Sequence, residues 1–186
     1  MKTTLLAALL VPFLFACGDD VVNYSAPVGI TGKLRSADPA QTAPYAFTLS
    51  KNITTEQGNP YGAFVNDATR VLGQPPSRIA VTYLTLELLP SSSGVTNLNQ
   101  VFAGQVSVGF DLDGTAYPVG TAANPAGASF PMMTAFDSAG VGPAAFAELA
   151  GGTFPVILAG TAQPAFVTTG GLTADLQTTF GFVAYK

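Results

Sequence analysis

Residues Gln105 to Val119, QVSVGFDLDGTAYPV, alternate apolar and polar with a period of two until they meet Asp-Gly. Val106, Val108, Phe110 and Leu112 fall on one face, and Gln105, Ser107, Gly109 and Asp111 on the other. That period belongs to a pleated strand, whose successive side chains point to opposite sides. Asp113-Gly114 accepts the positive φ angles of a two-residue turn, so Thr115 to Val119 is expected to return antiparallel. A lone hairpin buries too little to persist in water. The pattern therefore predicts a sheet with several more strands.

Those strands can be read along the chain. Val28, Ile30 and Leu34 share one face, as do Phe47, Leu49 and Ile53. In RIAVTYLTLELL, Ile79, Val81 and Tyr83 share a face, and then Leu84, Leu86 and Leu88 take over the other. This phase switch calls for a bulge near Tyr83 or a strand covered on both faces. TFPVILAG, AFVTTG and LQTTFGFVAY supply further strands, the last with Leu176, Phe180 and Phe182 in register. Short alternating pieces broken by Gly and Pro favour a mainly β fold, a single antiparallel β-sandwich (Ig-like or similar), over parallel βαβ units.

One segment departs from the alternation. In NPYGAFVNDATRVLGQPP, Tyr61, Phe64, Val65, Ala68, Val71 and Leu72 recur at helical spacing. Asn59 can cap the helix, Pro60 suits its first turn, and Gly73 with Pro75-Pro76 ends it. The expectation is one short amphipathic helix over a sheet edge or a sandwich opening, its stripe packed on the core. A shorter helical turn is expected in GPAAFAELAGG, from Pro143 to Gly151. Tyr61, Phe64 and Tyr83 are the candidate ligand or partner face.

The 186 residues suit one domain, 48% hydrophobic and only 10% charged. Past the first sixteen residues, no apolar run approaches the roughly 18 needed to span a bilayer. The net charge is −4, and Lys33, Arg35, Lys51, Arg70, Arg78 and Lys186 form no run. Binding nucleic acid requires a basic stripe, so that class is excluded.

The first residues carry an address. Lys2 precedes an apolar run from Leu5 to Ala16, the plan of a secretory signal. Leu14-Phe15-Ala16-Cys17 then resembles the lipobox of bacterial lipoproteins, with Phe15 larger than is usual at its place. The resemblance covers about twenty residues and implies a diacylglyceryl group on the Cys17 thiol, cleavage before it, and acylation of its amine, with palmitate a suitable label. Cys17 is the only cysteine, so no internal disulfide competes for it. The implied organisation is a signal peptide over 1–16, a lipidated tether over 17–27 and a β domain over 28–186. Gly18 stands where an aspartate often directs inner-membrane retention in that family, so the outer membrane is favoured. Asp19 and Asp20 read as part of a solvated tether, and their loose resemblance to the acidic surface-export signal of lipoproteins of some phyla is the alternative.

Catalytic equipment is sparse. The chain has no histidine, which removes His-based triads and histidine metal sites. No Ser-x-x-Lys dyad, phosphate loop or dinucleotide fingerprint occurs. A carboxylate-dependent hydrolase would have to draw on Glu56, Glu87, Asp111, Asp113, Asp137, Glu148 and Asp175, and nothing selects a pair. DLDG at Asp111–Gly114 invites comparison with a calcium loop, but Ala116 and Ala122 stand where that loop needs glycine and glutamate. An irregular calcium site at the end of the sandwich is the remaining metal alternative. No cofactor is expected. The function expected is a non-enzymatic cell-envelope lipoprotein that binds another envelope protein or helps assemble one. A small-ligand or glycan-binding lipoprotein is the alternative.

Overall fold

A computed structural model describes residues 22–53 and 59–186. Leu14, Ala16, Cys17, Asp19, Asp20 and Glu56 lie outside the described residues. The elements are β1 (Asn23–Arg35), β2 (Ala46–Ile53), α1 (Pro60–Leu72), β3 (Arg78–Leu88), β4 (Phe102–Leu112), β5 (Thr115–Ala123), β6 (Ser129–Thr134), α2 (Pro143–Gly151), β7 (Phe154–Ala162), α3 (Pro164–Thr168) and β8 (Thr173–Tyr185). Among the described residues, no helix is long and apolar enough to cross a membrane.

The Asp-Gly hairpin forms as the alternation predicts. Leu112 pairs with Thr115, and Asp113 and Gly114 take φ values of 52° and 69°. Val106, Val108, Phe110 and Leu112 are all buried. The phase switch in β3 is a bulge at Thr82: Val81 pairs with Phe182 and Tyr83 with Gly181. The inward set passes from Ile79 and Val81 to Leu84, Leu86 and Leu88, and Tyr83 turns outward over Gly181.

All eight strands belong to one antiparallel sheet in the order β1-β8-β3-β6-β5-β4-β7-β2. The expected β content and antiparallel pairing are present, with the strands joined as one ladder system. Its narrowest joint is β5–β6, which pairs through Gly120–Thr134 and Thr121–Met133. Either side of that joint the sheet curls until the edge strands β1 and β2 approach each other, giving a nearly closed, barrel-like shape. Phe110 on β4 meets Phe180 and Phe182 on β8 with ring centroids 5.5 and 6.0 Å apart, so opposite walls touch through aromatic rings.

Helices close the two ends. Asn59 caps α1 by accepting from the Tyr61 amide at 2.9 Å, and Gly73 ends the helix at φ 72°. Tyr61 and Phe64 then point into the barrel. α2 lies at the same end, where Glu148 accepts from the Asp113 amide of the hairpin turn. At the other end, Gln163 before α3 binds the Val101 and Phe102 carbonyls, and a 3-10 turn at Leu98–Gln100 fills the gap.

The structure departs from the expected elements at several points, and β5 runs on past Val119 to Ala123. AFVTTG is mostly the short helix α3, because Pro164 has no N–H for a ladder and Thr168 Oγ1 bonds back to the Pro164 carbonyl. The stretch expected as tether up to Pro27 already contains strand: Asn23–Pro27 pair with Gly181–Tyr185. Tyr24 and Ala26 continue the inward face of Val28, and Pro27 is tolerated because β1 is an edge strand. β6 is a further strand that the alternation does not predict, because Pro131 interrupts its short period.

Candidate functional site

The three residues singled out from the sequence separate in the structure. Tyr61 and Phe64 are fully buried core residues and present no surface to a ligand or partner. Burial raises the Tyr61 phenol well above its ordinary pKa, and its hydroxyl donates to the Leu149 carbonyl at 3.1 Å. Tyr83 is 47% exposed on the outer face.

The bulge at Thr82 sets this exposure. Thr82 Oγ1 donates to the Gly181 carbonyl at 3.0 Å, and the Tyr83 ring covers Gly181, where a Cβ would collide with it. The next strand extends the same surface: Leu84 pairs with Met132 and Thr85 with Pro131. Met132 points inward, so Met133 points out, with 82% of its surface exposed. Pro131 is exposed beside it. Next to Met133, where β5 and β6 diverge beyond their narrow joint, a groove of about 460 Å³ runs between Gln105, Thr121, Ala123, Phe130 and Pro131. None of these side chains is charged. Nothing in the alternation marks Met133, because Pro131 breaks the period of the short strand that carries it.

Three of the candidate acids, Asp137, Asp175 and Glu148, have structural partners. Asp137 receives a two-pronged contact from Arg78, with Nε donating at 2.8 Å, and also caps the Ala139 amide at 2.9 Å. Arg78 in turn sits 4.6 Å over the Tyr185 ring. The Arg78 hydrogen bonds hold the Asp137 carboxyl below the usual range. Asp175 is also held low, first by the Ser91 hydroxyl and then by Lys33, whose ammonium lies 3.1 Å from Oδ1. That contact satisfies Oδ1 as an ion pair even though its angles fall outside hydrogen-bond geometry. Glu148 binds the Asp113 amide, and Asp111 and Glu87 lie on β4 and β3.

Two predictions follow from these contacts. Asp137 and Asp175 have folded values below their unfolded ones, so their stabilisation is complete above about pH 4 and is lost as the pH falls through the lower folded values. The melting temperature will therefore be flat between about pH 5 and 8, where a chain without histidine has little to titrate, and will fall below about pH 4. Asp175→Asn will flatten part of that fall; a transition near neutrality contradicts the assignment. The second concerns metal. Asp113 lies in a hairpin turn whose amide Glu148 already takes, and no cluster of three potential metal ligands occurs among the described residues. EDTA will leave the melting temperature of the lipid-free chain within about a degree; a large drop identifies a structural ion.

Compared with family models and with curated proteins, the chain matches none.

Proposed function

We propose that this chain is a non-enzymatic lipoprotein of the bacterial cell envelope, anchored through Cys17 in the outer membrane, whose β domain offers its β3–β6 face to another envelope protein. The observation that carries this reading is the uncharged outer strip of Tyr83, Pro131 and Met133 beside an uncharged groove. A methionine left 82% in water is an adaptable apolar contact waiting for a surface, and tyrosine suits a partly wet interface. The proposed anchor fits the fold. Five peptide steps separate Cys17 from Val22, a reach of about 18 Å, so the end closed by α1 and α2 would lie near the lipid.

We further read the two halves of the curled sheet, β1-β8-β3-β6 and β5-β4-β7-β2, as the layers of a sandwich bent at the β5–β6 joint. The ring contacts of Phe110 across the interior support this reading.

A photoactivatable side chain placed at 83 or 133 in the native cell tests the partner face. Both positions are expected to capture the same envelope protein, and a control at Asn99, at the far end, is not. Met133→Lys should abolish capture from position 83 without lowering the melting temperature. Equal capture from Asn99, or capture indifferent to Met133→Lys, overturns the reading.

A further inference from the structure

We propose that Met133 is a peroxide-oxidised modification site that switches the β3–β6 face off: its thioether becomes a sulfoxide while the face is free, and the sulfoxide blocks docking. This rests on the partner face proposed above and adds its regulation.

The chain offers a peroxide very few targets. It contains no tryptophan or histidine, one cysteine and three methionines. Cys17 is the proposed acylation site, and Met1 lies in the signal that the same reading removes. Met132 and Met133 remain, adjacent on β6 and opposite in surroundings. Met132 pairs with Leu84 and is 6% exposed in the core, whereas Met133 pairs with Thr121 and is 82% exposed. Successive strand residues face opposite ways, so the ladder that shields one sulfur presents the other. The Met133 main chain is held in place: its carbonyl packs on Gly120, where a Cβ would stand 2.8 Å from the oxygen. The side chain therefore reaches water from a fixed point, beside the groove that Phe130, Pro131 and Ala123 also line.

The oxidant is hydrogen peroxide or an organic hydroperoxide. The sulfur lone pair attacks one peroxide oxygen, and the O–O bond breaks as the S–O bond forms. Sulfur is oxidised by two electrons. The departing hydroxide or alkoxide takes the proton of the transferred hydroxyl and leaves as water or alcohol. The product replaces a flexible apolar tip with a polar acceptor. No cationic side chain lines the groove to bind that oxygen. A partner packed on this uncharged strip would bury the acceptor without a donor, which opposes binding. Contact also hides the thioether, so oxidation acts on free molecules and withholds them from docking. The fold is left intact, because Met132 keeps its thioether within the core.

The test uses protein extracted from membranes with the photoactivatable side chain at 83. It is treated with hydrogen peroxide, and tandem mass spectrometry locates the added oxygen. Met133 is expected to oxidise at least about tenfold faster than Met132, with no change in melting temperature. The peroxide is then removed and the protein returned to solubilised membranes from cells lacking the chain. Capture should fall about tenfold in step with the sulfoxide and recover after treatment with a methionine sulfoxide reductase. Met133→Leu, which keeps an apolar contact without a thioether, should capture equally before and after peroxide. Equal oxidation of Met132 and Met133 overturns the switch, as does peroxide-induced loss that persists in Met133→Leu. Full capture by the sulfoxide, where Met133→Lys abolishes capture, overturns the switch and leaves the partner face standing. Full capture by both overturns the face and the switch with it.

Discussion

Tyr61→Ala will destabilise the domain by about 3 to 5 kcal/mol, the usual cost of emptying a large aromatic site in a packed core. Tyr61 is wholly buried and is the only tyrosine among the largest fully buried side chains. Its ring meets Phe154 edge-on at 5.1 Å and Phe182 at 4.9 Å, one on each half of the curled sheet, and Phe64 at 5.6 Å on its own helix. Removing it loses apolar burial, three ring contacts and the hydrogen bond to Leu149 together. Tyr61→Phe separates these contributions. It keeps the ring and loses only the hydroxyl, and the Leu149 carbonyl retains the Gly152 amide. Its cost is expected to be about 1 kcal/mol. Urea denaturation of both variants distinguishes a structural plug from a surface aromatic, since a Tyr61→Ala chain as stable as the parent contradicts the closed end described above.

The second large effect concerns location. Cys17→Ser is expected to abolish metabolic labelling with palmitate and to move the protein from the membrane fraction to the soluble one. The size of this effect follows from chain number: each buried methylene contributes about 0.8 kcal/mol, and two acyl chains hold a protein where one lets it exchange. Melting behaviour should be unchanged, because the ordered sheet begins at Asn23, several residues beyond the anchor. Labelling that survives the substitution contradicts the lipobox reading.

How far the sequence reaches into this fold depends on how local each signal is. The turn between β4 and β5 and the bounds of α1 are legible to the residue, because a two-residue Asp-Gly turn and an Asn-Pro helix start with a Gly stop are fixed by neighbours in the chain, whereas both hairpin strands run farther than their alternation, from Phe102 and to Ala123. The bulge at Thr82 was legible as a broken phase, since one extra residue moves every later side chain to the opposite face. β6 was not, because its pairing comes from β3 and β5, far away in sequence, and Pro131 hides its rhythm. α3 was misread for a related reason: five residues with β-branched content look like a strand, and only the missing Pro164 donor argues otherwise.

The candidate sites divide along the same line. Tyr61 and Phe64 belong to a helical stripe, and a stripe identifies its apolar face without saying whether that face is covered. Tyr83 kept its place on the surface because the bulge turned it outward over Gly181. Met133 is not marked in one dimension. Met132 and Met133 are neighbours in the chain, and only pairing with β3 and β5 decides which of them faces water.

The proposed tether and the partner-binding role that rests on it stand or fall with the chemistry of one sulfur atom. Protein extracted from the membranes of its own cells, digested and measured by mass spectrometry at its amino-terminal peptide, puts that directly to the test. A chain that begins at Cys17, with a diacylglyceryl group on Sγ, is the expected result. An unmodified thiol at that position would contradict it.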